Sequence, residues 1–236
     1  MSALPVILSW SGGKDSALAL HALRQDPRYA VKGLLTSVNE YYGRISMHGV
    51  REALLDAQAE AIGLPLHKLW LPQTPSNDEY EQKMRAALEG FKARGIRHVA
   101  FGDLFLEDIR QYRIKHMQQA DMECLFPLWH RPTDKLAREF IAQGFKAVLC
   151  CVDAEALDGG FAGREYDEQL LRQLPPGTDP CGENGEFHTF VYAGPVLRTP
   201  VAFRRGERVR RDGRFHFCDL IPTETPHEHL VSAVRH

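Results

Sequence analysis

Six consecutive residues, Ser11-Gly12-Gly13-Lys14-Asp15-Ser16, combine the groups that hold an oxyanion. Two glycines permit a tight turn and a close backbone approach. A helix after them would direct its first N–H groups and the positive end of its dipole at the anion. Ser11 and Ser16 add hydroxyl donors, and Lys14 adds a point charge. Asp15 is the odd member. Beside phosphates a carboxylate has a use when it meets Mg²⁺ or turns away to cap the helix. The spacing is neither G-x-x-x-x-G-K-[ST] nor G-x-G-x-x-G, so it is a different phosphate loop from the two commonest.

Other chemistry-bearing residues are scattered along the chain. Gly102-Asp103 follows an apolar run, and Asp103 either holds Mg²⁺, positions a substrate amine or caps the helix from Leu104 onward. Glu107, Arg110 and Arg113 share one helix face, which is either a solvated face of weak ion pairs or a substrate contact. In GENGEFHTF, Gly182 and Gly185 supply a loop with permissive dihedrals. A strand starting at Glu186 would put Glu186 and His188 on one face, a carboxylate and an imidazole suited to moving a proton or to orienting a substrate group. A hydrogen-bonded hairpin loop is the plainer alternative. Cys181, Glu183, Glu186 and His188 have no common zinc spacing. Trp129 stacks on a ring or packs, and His48 lies near the oxyanion loop or is structural.

These groups need elements to position them. Apolar runs at Pro5–Ser9, Val31–Val38, Leu66–Leu71, His98–Phe101, Glu123–Phe126 and Phe145–Val152 alternate with amphipathic stretches near residues 16–24, 50–62, 78–94, 106–117 and 133–143. Six such alternations predict an α/β fold, an open doubly wound parallel sheet with helices on both faces. After Asp158-Gly159-Gly160 the pattern changes to a short helix near 165–173 and β-like runs at Phe187–Tyr192, Val196–Phe203 and Arg214–Leu220. This predicts a larger α/β domain over 1–155 and a smaller C-terminal α+β domain over 156–236. Arg204, Arg205, Arg208, Arg210, Arg211 and Arg214 form a basic stretch, either a solvated hairpin or a contact to nucleic acid or an acidic protein.

Composition excludes other classes. In 236 residues, 44% are hydrophobic and 25% charged, which is globular usage rather than disorder. A net charge of −2 offers no global attraction to nucleic acid or acidic membranes. No stretch approaches the roughly 20 apolar residues of a membrane span. Five cysteines without a C-x-x-C pair form neither a disulfide framework nor a redox dithiol, which points to a reduced, cytoplasmic protein.

SGGKDS after an N-terminal strand resembles the PP-loop ATP pyrophosphatases, or adenine nucleotide α-hydrolases. That resemblance implies a Rossmann-like sheet of the HUP kind and ATP, with Mg²⁺, cleaved between its α- and β-phosphates across the strand C-termini. AFGDLFLEDIRQYR at 100–113, LFPLWH at 125–130 and DPCGENGEFHT at 179–189 follow in order. Together they resemble the diphthine–ammonia ligase family over nearly the whole chain. The implied substrates are ATP, ammonium and a carboxylate acceptor, diphthine on translation elongation factor 2. Ser11, Gly12, Gly13, Lys14, Asp15, Ser16, Ser37, His48 and Gly102 are then expected at the nucleotide. Lys14, Asp15, Asp103, Glu186 and His188 are expected in catalysis, with Asp15 the candidate Mg²⁺ ligand. Glu107, Arg110, Arg113, Trp129, Glu183 and Thr189 are expected at the acceptor. No glutaminase element accompanies them, so ammonia is expected free or from a separate partner. Two alternatives keep the loop: thiolation of a tRNA base, and a nucleotide-binding regulatory module without catalysis.

Overall fold

β1 (Leu4–Ser9) buries both of its faces: Val6 and Leu8 point one way and Ile7 the other, all without solvent exposure. Such a strand can only be central. In the computed structural model, which describes residues 2–45, 48–74 and 76–223, β1 lies between β2 (Tyr29–Asn39) and β5 (His98–Ala100). β2 pairs onward with β4 (Leu66–Leu71), and β5 with β6 (Glu123–Leu125). All these pairs are parallel, and a short β3 (Arg44–Ile45) adds an antiparallel end to β2. The chain therefore winds outward from β1 first to one side and then to the other. That reversal opens a crevice beyond the carboxyl ends of β1 and β5, where open α/β sheets bind ligands.

The alternation of β1 separates two cores. Val6 and Leu8 pack with α1 (Lys14–Gln25) and α2 (Glu52–Ile62), whereas Ile7, Leu35 and Val99 pack with Leu88 and Phe91 of α3 (Asn77–Lys92) and Met117 of α4 (Glu107–Gln119). The doubly wound sheet expected from the sequence is thus present. Local signals set the helix ends. Ser76 and Glu79 form a reciprocal capping box at the start of α3. α2 stops at Gly63, whose φ of +74° lets its N–H reach Ala59 and Glu60 carbonyls.

A second, smaller sheet is antiparallel, in the order β8-β7-β10-β9. Its strands are β7 (Lys146–Asp153), β8 (Phe187–Ala193), β9 (Phe203–Arg211) and β10 (Phe215–Pro222), and between α5 (Thr133–Ala142) and β8 lies a short α6 (Glu168–Gln173). This corrects the expectation that Phe145–Val152 closes the parallel series. β7 instead pairs antiparallel with β8 and β10. A strand covered on both faces reads as one continuous apolar run in either kind of sheet. The run Val196–Phe203 is also corrected. Pro195 stands just before it, Pro200 interrupts it, and only Phe203 belongs to a strand. Residues 224–236 of the expected C-terminal domain lie outside the described residues. Among the described residues no helix is long and apolar enough to cross a membrane.

Candidate active site

The turn from β1 into α1 is held from outside itself. Gly12 has φ +79°, and a Cβ there would lie 2.7 Å from Gln58 Oε1. Gln58, on α2 and fully buried, donates to the carbonyls of Gly12 (3.0 Å) and Val191 (2.6 Å) and accepts from Trp10 Nε1 (3.0 Å). The Val191 N–H of β8 also reaches the Gly12 carbonyl, at 2.9 Å. Within the loop, Ser16 Oγ donates to the Gly13 carbonyl (2.9 Å) and Ser11 Oγ to Ser16 Oγ (3.3 Å). The Lys14 N–H is taken by Thr189 Oγ1 at 3.0 Å. The N–H groups of Asp15 and Ser16 stand in the first turn, where a helix offers no acceptor of its own, so they suit an oxyanion.

Lys14 is 2% exposed, and its ammonium donates to both Asp15 oxygens at 2.8 Å. Burial pulls the Lys14 pKa down, but Asp15, with Cys181 and Glu183 behind it, outweighs burial and holds the ammonium above its ordinary value. Burial raises the Asp15 carboxyl, and Asp179 adds to this against the opposing pull of Lys14. Asp15 therefore faces Lys14 rather than capping the helix. Among the described residues no cluster of three or more potential ligands exists for a metal. Magnesium carried on phosphates needs only one or two carboxylates, and Asp15 is the loop's own.

A cavity of about 240 Å³ opens over the loop, lined also by Gly102, Asp103, Arg113 and Glu183. Gly102 runs so close to α1 that a Cβ there would lie 2.9 Å from the Asp15 carbonyl carbon. Asp103 does not cap α4. It forms an ion pair with Arg113, whose Nη2 lies 3.0 Å from Oδ1. Glu183 Oε1 accepts the Leu104 N–H at 2.7 Å. Its pKa is pushed up to about 7, first by burial and then by Asp15 and Asp103, against that hydrogen bond.

The rings of His188 and His48 lie against one another, tilted by 33° with centroids 4.6 Å apart, and His48 Nδ1 lies 3.2 Å from the Thr189 carbonyl. Burial and Lys14 push His188 down to about 4. Burial, His188 and Lys14 likewise hold His48 well below its ordinary value, against the Thr189 contact. Both imidazoles are neutral near pH 7. They border a second cavity of about 330 Å³ between α3 and α4, whose other walls include Ser9, Ser37, Tyr80 and Phe101. A third, of about 900 Å³, lies between the β3 hairpin and the β9–β10 ribbon. His188 borders all three.

The loop residues, Ser37, His48, Gly102, Asp103, Arg113, Glu183, His188 and Thr189 thus converge. Other expected site residues do not. Glu186 precedes β8, is 6% exposed, and its Oε1 accepts from the Asp179 N–H (2.9 Å) and Asn184 Nδ2 (3.0 Å). It lines none of the three cavities, so Glu186 and His188 form no common proton-transfer face. Glu107 and Arg110 pair with one another at 3.2 Å, while the Arg110 guanidinium sits over Trp129 at 4.9 Å. That cluster lies outside the cavities. Gln58 and Asp179 escaped the sequence reading. Gln58 had one signal, a lone amide four residues after Leu54 on the apolar face of its helix.

Two family models match the chain: the diphthamide synthase N-terminal domain over residues 4–120 and the diphthamide synthase C-terminal domain over residues 132–219. Among curated proteins, the diphthine–ammonia ligases of Rattus norvegicus and Mus musculus are 26% and 27% identical over 228 residues, spanning 84% of this chain and 82% of theirs. That of Homo sapiens is 25% identical over the same shares.

Proposed function

The chain belongs to the diphthamide synthase family, and from that premise we propose that it is an AMP-forming ligase that adenylates a carboxylate and amidates it with ammonia. The relatives' name supports diphthine and ammonia as the groups joined, and the acceptor in this reading is the diphthine carboxylate on elongation factor 2. The observation that carries this reading is the meeting of three cavities at His188, one over the phosphate loop, one beside the ends of β1 and β5, and one large enough for an acceptor. The loop takes the β- and γ-phosphates, and the second cavity takes the nucleoside.

An acceptor carboxylate oxygen attacks the α-phosphorus, the bond to the bridging oxygen breaks, and that oxygen leaves with the electron pair as pyrophosphate. Lys14 and the N–H groups of Asp15 and Ser16 stabilise the charge that builds there, donors fixed in place before the reaction begins. Mg²⁺ carried by the triphosphate would neutralise further charge, with Asp15 the nearest loop carboxylate. Ammonia then attacks the acyl carbon and AMP departs. Ammonium must first lose a proton. Glu183, at about 7, is better matched to accept it near neutral pH than His188 at about 4. His188, neutral, orients the acyl group, and Asp103 fixes Arg113 at the cavity wall.

A thiolation chemistry finds less support. Burial pushes the Cys151 and Cys181 thiols to about 12, which suits neither as a sulfur carrier. The test is product analysis with Mg²⁺, ammonium and diphthine-bearing elongation factor 2. The expected products are AMP and pyrophosphate, abolished by Asp15→Ala. ADP as the product would refute the adenylation mechanism.

A further inference from the structure

The third cavity has no task in the nucleotide chemistry, and at about 900 Å³ it is the largest of the three. One of its walls is the ribbon of β9 and β10. Alternation along β10 turns Cys218 and Leu220 into the core and leaves Phe215, Phe217 and Ile221 on the groove face. Across the ribbon, Phe215 faces Arg211 and Phe217 faces Val209. A register shift follows, and beyond it Ile221 faces Arg204. The opposite wall is the β3 hairpin, with Tyr42, Arg44 and Ile45.

The two walls are fixed to one another. Arg44 Nη2 lies 3.0 Å from Asp219 Oδ1, and Arg51 grips the same carboxylate through Nε (3.0 Å) and Nη2 (2.6 Å). At the floor, a Cβ on Gly49, which has φ +67°, would lie 2.6 Å from the Phe217 ring. The groove is therefore preformed. β9 carries five arginines against one glutamate. Arg205 is committed to Glu165 and Asp219 to Arg44 and Arg51. Among the described residues Arg204 and Arg211 have no carboxylate partner, and Glu207 and Asp212 are the other carboxylates on the wall.

We propose that this groove docks an extended acidic polypeptide segment of the acceptor protein and leads its carboxylate past His188 to the nucleotide. The proposal rests on the ligase reading above and names the partner of that site. Ammonia needs no cavity of this size, and the nucleotide has two others. The apolar stripe of Phe215, Phe217, Val209 and Ile221 between Arg204 and Arg211 suits alternating aliphatic and acidic side chains. Glu207 and Asp212 on the same wall repel any polyanion, so the apolar stripe decides between peptide and nucleic acid: it pairs with aliphatic side chains and offers nothing to a continuous phosphate backbone, which disfavours RNA.

The experiment measures binding of a labelled peptide of alternating glutamate and valine to the full chain. A lysine–valine peptide and a single-stranded RNA of equal charge serve as comparisons. Arg204→Glu/Arg211→Glu is expected to weaken the glutamate peptide at least about tenfold. Arg138→Glu/Arg172→Glu, the same charge change on α5 and α6, should leave its affinity unchanged. ATP binding by each variant reports folding, and Arg204→Gln/Arg211→Gln replaces the reversal should that variant lose ATP. Equal loss in both double variants overturns the proposal, as does failure of the peptide to bind. RNA binding tighter than the peptide and lost with the groove arginines overturns it in favour of nucleic acid. Peptide binding as expected without AMP formation removes the ligase reading and supports the docking surface. AMP formation with unchanged peptide affinity in the groove variant overturns the groove alone.

Discussion

In Glu183 a hydrogen bond favours the charged carboxylate and a larger effect, burial, opposes it. The balance leaves its pKa at about 7, well above the ordinary glutamate value. If it accepts the proton from ammonium, amide formation rises as pH climbs through about 7, and Glu183→Gln removes that rise along with at least about 99% of the rate. The adenylation half-reaction, followed by exchange of labelled pyrophosphate into ATP, should persist. The same shift fixes a stability signature. Because the folded pKa is raised, folding favours the protonated form. The stability that Glu183 contributes is complete below the ordinary glutamate value and is lost as pH rises through about 7. Glutamine keeps the acceptor for Leu104 and carries no charge. Glu183→Gln should therefore raise Tm by roughly 3 °C at pH 8, the gain shrinking toward pH 5. A melting difference independent of pH would remove Glu183 as the titrating group.

The β1–α1 element depends on a side chain from a different helix. Gln58 ties Trp10, Gly12 and Val191 together from within α2, in a site with no solvent. Gln58→Leu keeps the volume but strands the Trp10 N–H and the Val191 carbonyl without partners. Each such orphan costs about 1–3 kcal/mol, so Tm should fall by roughly 8 °C. The ATP dissociation constant should rise at least about tenfold, read by calorimetry, because the Gly12 turn loses its brace. The contrast with the loop itself shows what the sequence could disclose. Ser11–Ser16 is contiguous, so its chemistry is legible at once, and the strands and helices up to β6, apart from the two-residue β3, show as apolar runs and amphipathic stretches. Gln58 bonds backbone atoms 46 and 133 residues away, and no local pattern encodes that. Glu186 shows the reverse error: its spacing to His188 suggested a shared face, but the turn before β8 engages its Oε1 and it lines none of the three cavities. β7 was a strand by its pattern, but its sheet was not legible, because burial on both faces looks alike in parallel and antiparallel surroundings.

The two sheets meet at the phosphate loop rather than at a free hinge. Thr189 Oγ1 accepts the Lys14 N–H, the Val191 N–H reaches the Gly12 carbonyl, and Gln58 spans to Val191. Further along the seam, Arg24 donates to the Val196 and Ile62 carbonyls at 3.0 Å each, and the Arg198 N–H reaches the Ala61 carbonyl at 2.8 Å. A nucleotide held by the loop therefore acts on both sheets, since the loop's geometry is set partly by β8. ATP should slow amide hydrogen exchange in β7 and β8 as well as in β1, and the chain should unfold in one cooperative step. Thr189→Val is the discriminating change. It keeps the shape of the side chain but removes the hydroxyl, leaving the buried Lys14 N–H without its acceptor at a cost of about 1–3 kcal/mol. In that variant ATP should still protect β1 and α1, while its protection of β8 falls by at least about threefold. Protection of β8 that is the same in both proteins would show that the second sheet senses the nucleotide by a route other than Thr189. No protection of β8 in the wild type would mean that the sheets respond separately, and that the loop carries the nucleotide on the strength of the first sheet alone.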